Sequence, residues 1–228
     1  MHDFIHYKHN PRTFKDINYN PETVEKLKLL SSGGNFDSIL LSGPAGSGKK
    51  TLLQCYLNNY YNNDNLMFIK ENHEFTLKKN NYKVYYSSSQ YHFEVYLVDN
   101  PKINNIILKE LINYFHSSLS ITNDFTVIMI YNIDKLYDNN STININNIIK
   151  NIVDRHKNIR ILSTSSSRIY NIAIPFINLR VRSLKTLELL KITNFISKKE
   201  NLNLNYDKLH TFVKNCNRNL SLLLNLLQ

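Results

Sequence analysis

Two cysteines, Cys55 and Cys216, are too few and too far apart for a disulfide framework or a cysteine-based zinc site. They fit a reducing compartment. No apolar run approaches the ~20 residues that a membrane-spanning helix needs. The opening "MHDFIHYKHN" lacks the apolar core of a secretory signal. A soluble, intracellular protein is the expectation. Helix-turn-helix, zinc-finger and RRM signatures are also missing, so the common sequence-specific nucleic-acid readers are excluded.

What is present is a chain of 228 residues, 42% of them apolar, which fits one large domain or a core domain with a small appendage. The formal charge of +10 has two readings. It suits a nucleic-acid partner held through its phosphates. It also suits drift in AT-rich coding DNA, since Asn, Ile, Lys and Tyr crowd the chain. The stretches "NNYYNNDN" (58–65) and "DNNSTININN" (138–147) look like the same drift in loops.

Strands and helices alternate along the first part. "DSILLSG" (37–43) reads as a buried parallel strand entering a glycine turn, and "KKTLLQCYLNNYY" (49–61) as a helix with Leu52, Leu53, Tyr56, Leu57 and Tyr60 on one side. Residues 65–97 alternate with a period of two, and "YKVYYSSS" and "YHFEVYL" predict a hairpin pair. A helix capped by Asp99 or Asn100 follows, with Pro101 in its first turn and Ile103, Ile106, Ile107, Leu111, Tyr114 and Phe115 on its apolar side. Further strands are predicted at 125–134, 159–165 and 177–183, with a helix at about 143–156. From Ser183 the pattern is helical, in three short amphipathic segments. The fold class expected is α/β, a parallel sheet core with a small C-terminal helical lid. The core is placed at 1–182 and the lid at 183–228.

Between the first strand and its helix lies "GPAGSGKKT". Gly43, Gly48 and Lys49 have the spacing of a phosphate-binding loop. Glycines let backbone N–H groups turn inward around a phosphate, the helix N-terminus adds its dipole, and the lysine reaches the outer phosphates. The position after Lys49 normally gives a hydroxyl to Mg²⁺. Here it is Lys50, with Thr51 one residue later.

This loop resembles that of the replication factor C small subunits, AAA+ clamp loaders, in the type whose loop reads Lys-Lys-Thr (subunit three in humans, five in budding yeast). "SSSQYHFEVYLVDN" and "IILKELINYF" are similar to the family's Tyr-His-Leu-Glu stretch and the helix after it. "NIDKL" (132–136) looks like its altered Walker B segment, and "HKNIRIL" and "SSSRI" follow in the family's order. "YKHNPRTFKDI" (7–17) resembles the segment that packs on adenine. The likeness covers residues 6–228. It implies an ATP or ADP site formed by Gly43, Pro44, Ala45, Gly46, Ser47, Gly48, Lys49, Lys50 and Thr51, with Pro11 at the adenine. It further implies other clamp-loader subunits, a sliding clamp and primer–template DNA as partners. The nucleus or another site of DNA replication is the implied location. Lys150 aligns with a family arginine and is the leading DNA contact. A solvated helix face explains it equally well.

The departures from the family concern hydrolysis, which needs a carboxylate to organise Mg²⁺ and another to polarise water. Those positions fall on Tyr131 and Asn132. Mg²⁺ remains allowed, but its usual ligands are missing, and no catalytic or metal residue is assigned. Asp134, two residues beyond, is either a metal contact or a helix cap. Thr164 or Ser165 replaces the sensor-one Asn. Asn219 takes the sensor-two Arg position, with Arg218 one residue early. The arginine-finger segment aligns with Phe176, Ile177 and Asn178, while Arg180 and Arg182 sit on the predicted strand. The resemblance implies a collar of a further ~100 residues, the size of an ordinary small domain, beyond the helical lid; either these residues are a fragment or the protein assembles differently. The loop is expected to bind with weak or no turnover. Two alternatives stand beside this: a scaffold that no longer binds nucleotide, or a P-loop ATPase of another family.

Overall fold

The computed structural model describes residues 4–64, 66, 68–77, 80–117, 125–136, 158–166, 176–202 and 204–228. The expected helix at 143–156, and Lys150 with it, lie outside these residues. The described chain divides into two compact units: Met1–Asn35, Ser42–Asn65 and Arg180–Gln228 form the first, and Phe36–Leu41 with Leu66–Leu179 the second.

The sheet belongs to the second unit but for Ser42 and Arg180, the last residues of its first and seventh strands. Its strands are β1 (Ile39–Ser42), β2 (Ile69–Leu77), β3 (Asn80–Ser88), β4 (His92–Tyr96), β5 (Thr126–Tyr131), β6 (Ile159–Ser165) and β7 (Ile177–Arg180). Among the described residues the order is β2-β3-β4-β5-β6-β1-β7. Strands β4, β5 and β6 pair in parallel, as in an α/β core. Toward β2 the sheet turns antiparallel: β2 and β3 pair from Ile69↔Ser88 to Leu77↔Asn80, and β3 meets β4 at Ser87↔Glu94 and Ser88↔Phe93. The parallel core expected from sequence is therefore the centre of a mixed sheet. Every residue of β5 is buried, the pattern of a central strand covered on both faces.

The helix Pro101–Ser117 begins where Asn100 Oδ1 accepts from the Ile103 N–H at 3.2 Å. Its buried side overlaps the expected stripe: Leu111 and Phe115 are buried, and Ile107 and Tyr114 pack against the core. Leu108, Ile112, Asn104 and Asn105 widen that side, while Ile103 and Ile106 are half-exposed. One of the two buried amides is fully engaged. The Asn104 amide accepts from Val98 N–H and donates to the carbonyls of Val98 (2.7 Å) and Lys135 (3.0 Å). A buried amide is tolerated where its bonds are met. Phe115 then stacks on Phe93, with ring centroids 3.9 Å apart. Each such buried apolar side chain is worth ~1.5–3 kcal/mol.

In the first unit, α1 (Ile5–Lys8) is followed by a 3₁₀ turn at Phe14–Asp16, α2 (Pro21–Ser32) and α3 (Lys49–Tyr60). With the helix Pro101–Ser117 as α4, the C-terminal segment forms α5 (Thr186–Lys199), α6 (Tyr206–Asn215) and α7 (Leu220–Leu226). The three amphipathic helices read from sequence are present. Asn205 and Asn219 cap α6 and α7 through their side chains. The N-terminal segment is tied in by Ile5 N–H donating to Gln228 Oε1 and by Lys8 and His9 on Glu200.

Strand β7 ends at Arg180, sooner than the expected 177–183. Beyond it the backbone finds other partners: Val181 N–H donates to the Ser42 carbonyl, and the Arg182 carbonyl accepts from Asn20 Nδ2. Arg182 thus lies off the strand. No described helix is long and apolar enough to cross a membrane.

Candidate functional site

The loop from Gly43 to Thr51 joins β1 to α3. Gly46 and Gly48 hold φ of +68° and +82°, left-handed conformations that side chains resist. Their surroundings forbid a side chain as well. A Cβ on Gly46 would stand 1.8 Å from Asn219 Oδ1, and one on Gly48 would stand 2.5 Å from the Tyr19 ring. Lys49 is buried, its ammonium donating to the carbonyls of Gly43 and Pro44 at 2.7 Å each. Ser47 is buried too, and its hydroxyl has no hydrogen-bond partner. Lys50 is exposed. No acidic residue stands in the first turn of α3. Two left-handed glycines, an unmet hydroxyl, an ammonium and a helix N-terminus have the chemistry of a phosphate cradle.

The segment carrying Pro11 lies along α3. The Pro11 carbonyl accepts from Cys55 Sγ at 3.5 Å, the Arg12 carbonyl from Asn58 Nδ2 at 2.8 Å, and Asn10 Oδ1 from Thr51 Oγ1 at 3.1 Å. The Thr51 hydroxyl, displaced one place by Lys50, is therefore engaged with Asn10. Burial, with the carboxylates of Asp16 and Asp64, raises the Cys55 thiol to about 12. Cys55 stays a thiol and packs as an apolar group.

Asn219 aligns with sensor two, and its structural role is local. Its side chain accepts from Leu222 N–H at 3.1 Å as the cap of α7, and Leu220 N–H donates to the Gly46 carbonyl at 2.9 Å. Arg218 takes a left-handed φ of +61°.

The residues aligned with the metal and water-polarising positions lie in the second unit. Tyr131 closes β5, buried, and its hydroxyl donates to Glu94 Oε1 on β4 at 2.9 Å. Glu94 is also buried, with His92 Nε2 at 3.5 Å and the Tyr96 hydroxyl at 3.4 Å. Burial, then the Glu94 charge, pushes the Tyr131 phenol well above its ordinary pKa. It remains a neutral hydrogen-bond donor. Asn132 takes φ +60°, and its N–H donates to Thr164 Oγ1 at 3.1 Å. Thr164, rather than Ser165, thus takes up the backbone at the end of β5. Asp134 lies in the 3₁₀ turn Ile133–Leu136, and its carboxylate accepts from the N–H and hydroxyl of Ser166. A phenol, an amide and a carboxylate committed to Ser166 do not fit an Mg²⁺ ligand set.

Of the finger segment, Phe176 is buried in the core, Ile177 N–H donates to the Ser38 carbonyl, and Asn178 is exposed on β7. Arg180 is the last residue of that strand and exposed. Arg182 forms a bidentate pair with Glu188, at 2.6 and 2.8 Å.

Sequence reading missed Tyr19, Asn10 and Glu94. Only Glu94 carried a signal, being a charged residue inside an alternating strand pattern at an inward position.

No family model matches the chain. Curated relatives do. A protein of Acanthamoeba polyphaga mimivirus bearing the name of a replication factor C small subunit is 27% identical, over 95% of this chain and 60% of its own length. Replication factor C subunit 3 of Homo sapiens is 25% identical over 93% of this chain and 61% of its own, and subunit 5 of Schizosaccharomyces pombe is 24% identical over the same shares. The chain thus spans about three-fifths of the length of these relatives. Among solved structures, the Thermotoga maritima RuvB Holliday junction branch migration motor superposes with a TM-score of 0.62 at 13% identity, covering 98% of this chain and 64% of its own. A point mutant of the same motor gives 0.65 at 12% identity, covering 96% and 64%. Along nearly its whole length, then, the chain is similar to the replication factor C small subunits, and its α/β fold is that of the RuvB motor.

Proposed function

We propose that the chain is the nucleotide-binding AAA+ module of a clamp-loader small subunit. It binds ATP or ADP on Gly43–Thr51, with Pro11 toward the adenine, and turns nucleotide over weakly or not at all. With other clamp-loader subunits it helps to load a sliding clamp onto primer–template DNA, at the site of DNA replication. Residues 183–228 act as its helical lid. The observation that carries this reading is the similarity to replication factor C small subunits over 93–95% of the chain.

The chemistry of the residues supports the division between binding and turnover. Lys49, the glycine backbone and the start of α3 offer positive charge and donors to phosphate oxygens. Mg²⁺, where bound to a nucleotide, neutralises phosphate charge, and Tyr131 and Asn132, which the family resemblance aligns with its usual ligand positions, carry no carboxylate. Contact with DNA is to the backbone and independent of sequence.

The test is nucleotide content and affinity of the purified protein, wild type beside Lys49→Ala. Saturable ADP or ATP binding is expected, weakened by ~1.5–3 kcal/mol in the variant through loss of a charge-assisted contact. Equal lack of affinity in both proteins would instead favour a scaffold that no longer binds nucleotide.

A further inference from the structure

We propose that the Tyr19 hydroxyl is a phosphate ligand of the Gly43–Thr51 loop, donating to the bound nucleotide beside Gly48. The proposal rests on the nucleotide reading above and names a residue that the loop motif does not contain.

Tyr19 lies between the 3₁₀ turn Phe14–Asp16 and α2, and it is only 3% exposed. The hydroxyl edge of its ring is set against the residue that caps α3. A Cβ on that residue, Gly48, would meet Tyr19 Cε2 and the hydroxyl oxygen at 2.5 Å each. The ring is therefore a wall of the loop, and its polar end lies at the helix N-terminus.

That polar end is unmet. The Tyr19 hydroxyl is buried and has no hydrogen-bond partner. Thr51 lies beside it, yet Thr51 Oγ1 spends its proton on Asn10, and no hydrogen bond of ordinary geometry joins the two hydroxyls. Next to Gly48 in the chain, Ser47 repeats the pattern, with a buried hydroxyl lacking a partner and 1% exposure. Native interiors rarely leave such groups unsatisfied. Two of them at the start of one helix, together with the Lys49 ammonium, mark a place where an acceptor-rich anion completes the bonding. Burial raises the Tyr19 pKa, so the phenol stays protonated and acts as a donor. The neighbouring helix dipole selects a phosphate rather than the sugar or base.

Tyr19→Phe keeps the ring against Gly48 and removes only the hydroxyl. Affinities for ADP and for pyrophosphate are measured by calorimetry, with the melting temperature of the unliganded protein alongside. The expected result is about tenfold weaker binding of both ligands, with an unliganded melting temperature equal to or above wild type, because a buried unpaired group has been deleted. Ser47→Ala, titrated the same way, is expected to weaken pyrophosphate as well. Unchanged affinity in Tyr19→Phe overturns the proposal, whatever Ser47→Ala does. So does a loss confined to ADP, which puts the hydroxyl on the nucleoside, or a lowered unliganded melting temperature with unchanged affinity, which makes Thr51 its partner. Wild-type protein that binds neither ligand overturns the nucleotide reading itself, and the proposal with it.

Discussion

The Tyr131 hydroxyl donates to Glu94 Oε1 at 2.9 Å across the parallel pair β4–β5, with both side chains buried. A phenol closes β5, and a carboxylate on the next strand is its partner. Tyr131→Phe is expected to lower stability by ~1–3 kcal/mol, since a buried acceptor loses its bond. Glu94→Gln is expected to cost less, because the amide oxygen still accepts. Denaturant unfolding of the two variants checks the order.

Glu188 joins three contacts in the first unit: the Arg182 guanidinium, the Lys185 N–H at 2.7 Å and the Asn20 N–H at 3.3 Å. Burial pushes its carboxyl pKa up, but Arg182 and these N–H groups together outweigh burial and hold it below the ordinary value. A carboxyl with a lowered folded pKa contributes stability above its unfolded pKa, ~4.3 for Glu. That contribution is lost as pH falls through the folded value. Glu188→Gln is expected to be less stable than wild type at neutral pH, with the gap narrowing below about pH 4.3. Melting curves taken from neutral pH down past that value measure it.

Gly46 and Asn219 are coupled through direct contact. Gly46→Ala is expected to destabilise strongly, because the new Cβ is both at positive φ and within 1.8 Å of Asn219 Oδ1. Asn219→Ala removes the α7 cap at a cost of ~0.5–2 kcal/mol. The double variant should cost less than the sum, since the second change relieves the clash. A double-mutant cycle by urea unfolding checks the sign.

The loop and its helix were legible because their signals are local: fixed glycine and lysine spacing, an apolar strand before and helical periodicity after. Strand β5 was legible as an unbroken apolar run. The burial of Asn104 on α4 was not, because it depends on its amide reaching Val98 and Lys135, which lie outside the helix. The early end of β7 follows likewise from Asn20 and Glu188 claiming Arg182. Within the loop, Gly43, Gly48 and Lys49 could be named from spacing, whereas their neighbours Tyr19 and Asn10 could not. Nothing near "INYN" indicates that its tyrosine will lie against Gly48.

DNA binding by the isolated chain is expected to be feeble and to fall steeply with salt, since the +10 charge acts through phosphates. Titration against duplex DNA at increasing salt measures it. Salt-insensitive binding to one sequence contradicts backbone contact.

The finger segment offers Phe176 to the core, Ile177 to the strand and Asn178 to solvent, so no cation stands at the aligned position. The chain is expected not to stimulate hydrolysis by a partner ATPase, a role in which an arginine finger is worth orders of magnitude. Wild type and Arg180→Ala should behave alike with a co-purifying ATPase. A large rate loss in the variant would show that Arg180 serves as the finger.

Whether nucleotide is held without being consumed is tested most directly by single-turnover analysis. Labelled ATP is mixed with an excess of wild-type protein or Lys49→Ala, and the bound label is identified over time. Wild type is expected to retain the label as ATP, with hydrolysis at the background rate, and the variant to retain little label. Rapid conversion to ADP by wild type, abolished in Lys49→Ala, would contradict it.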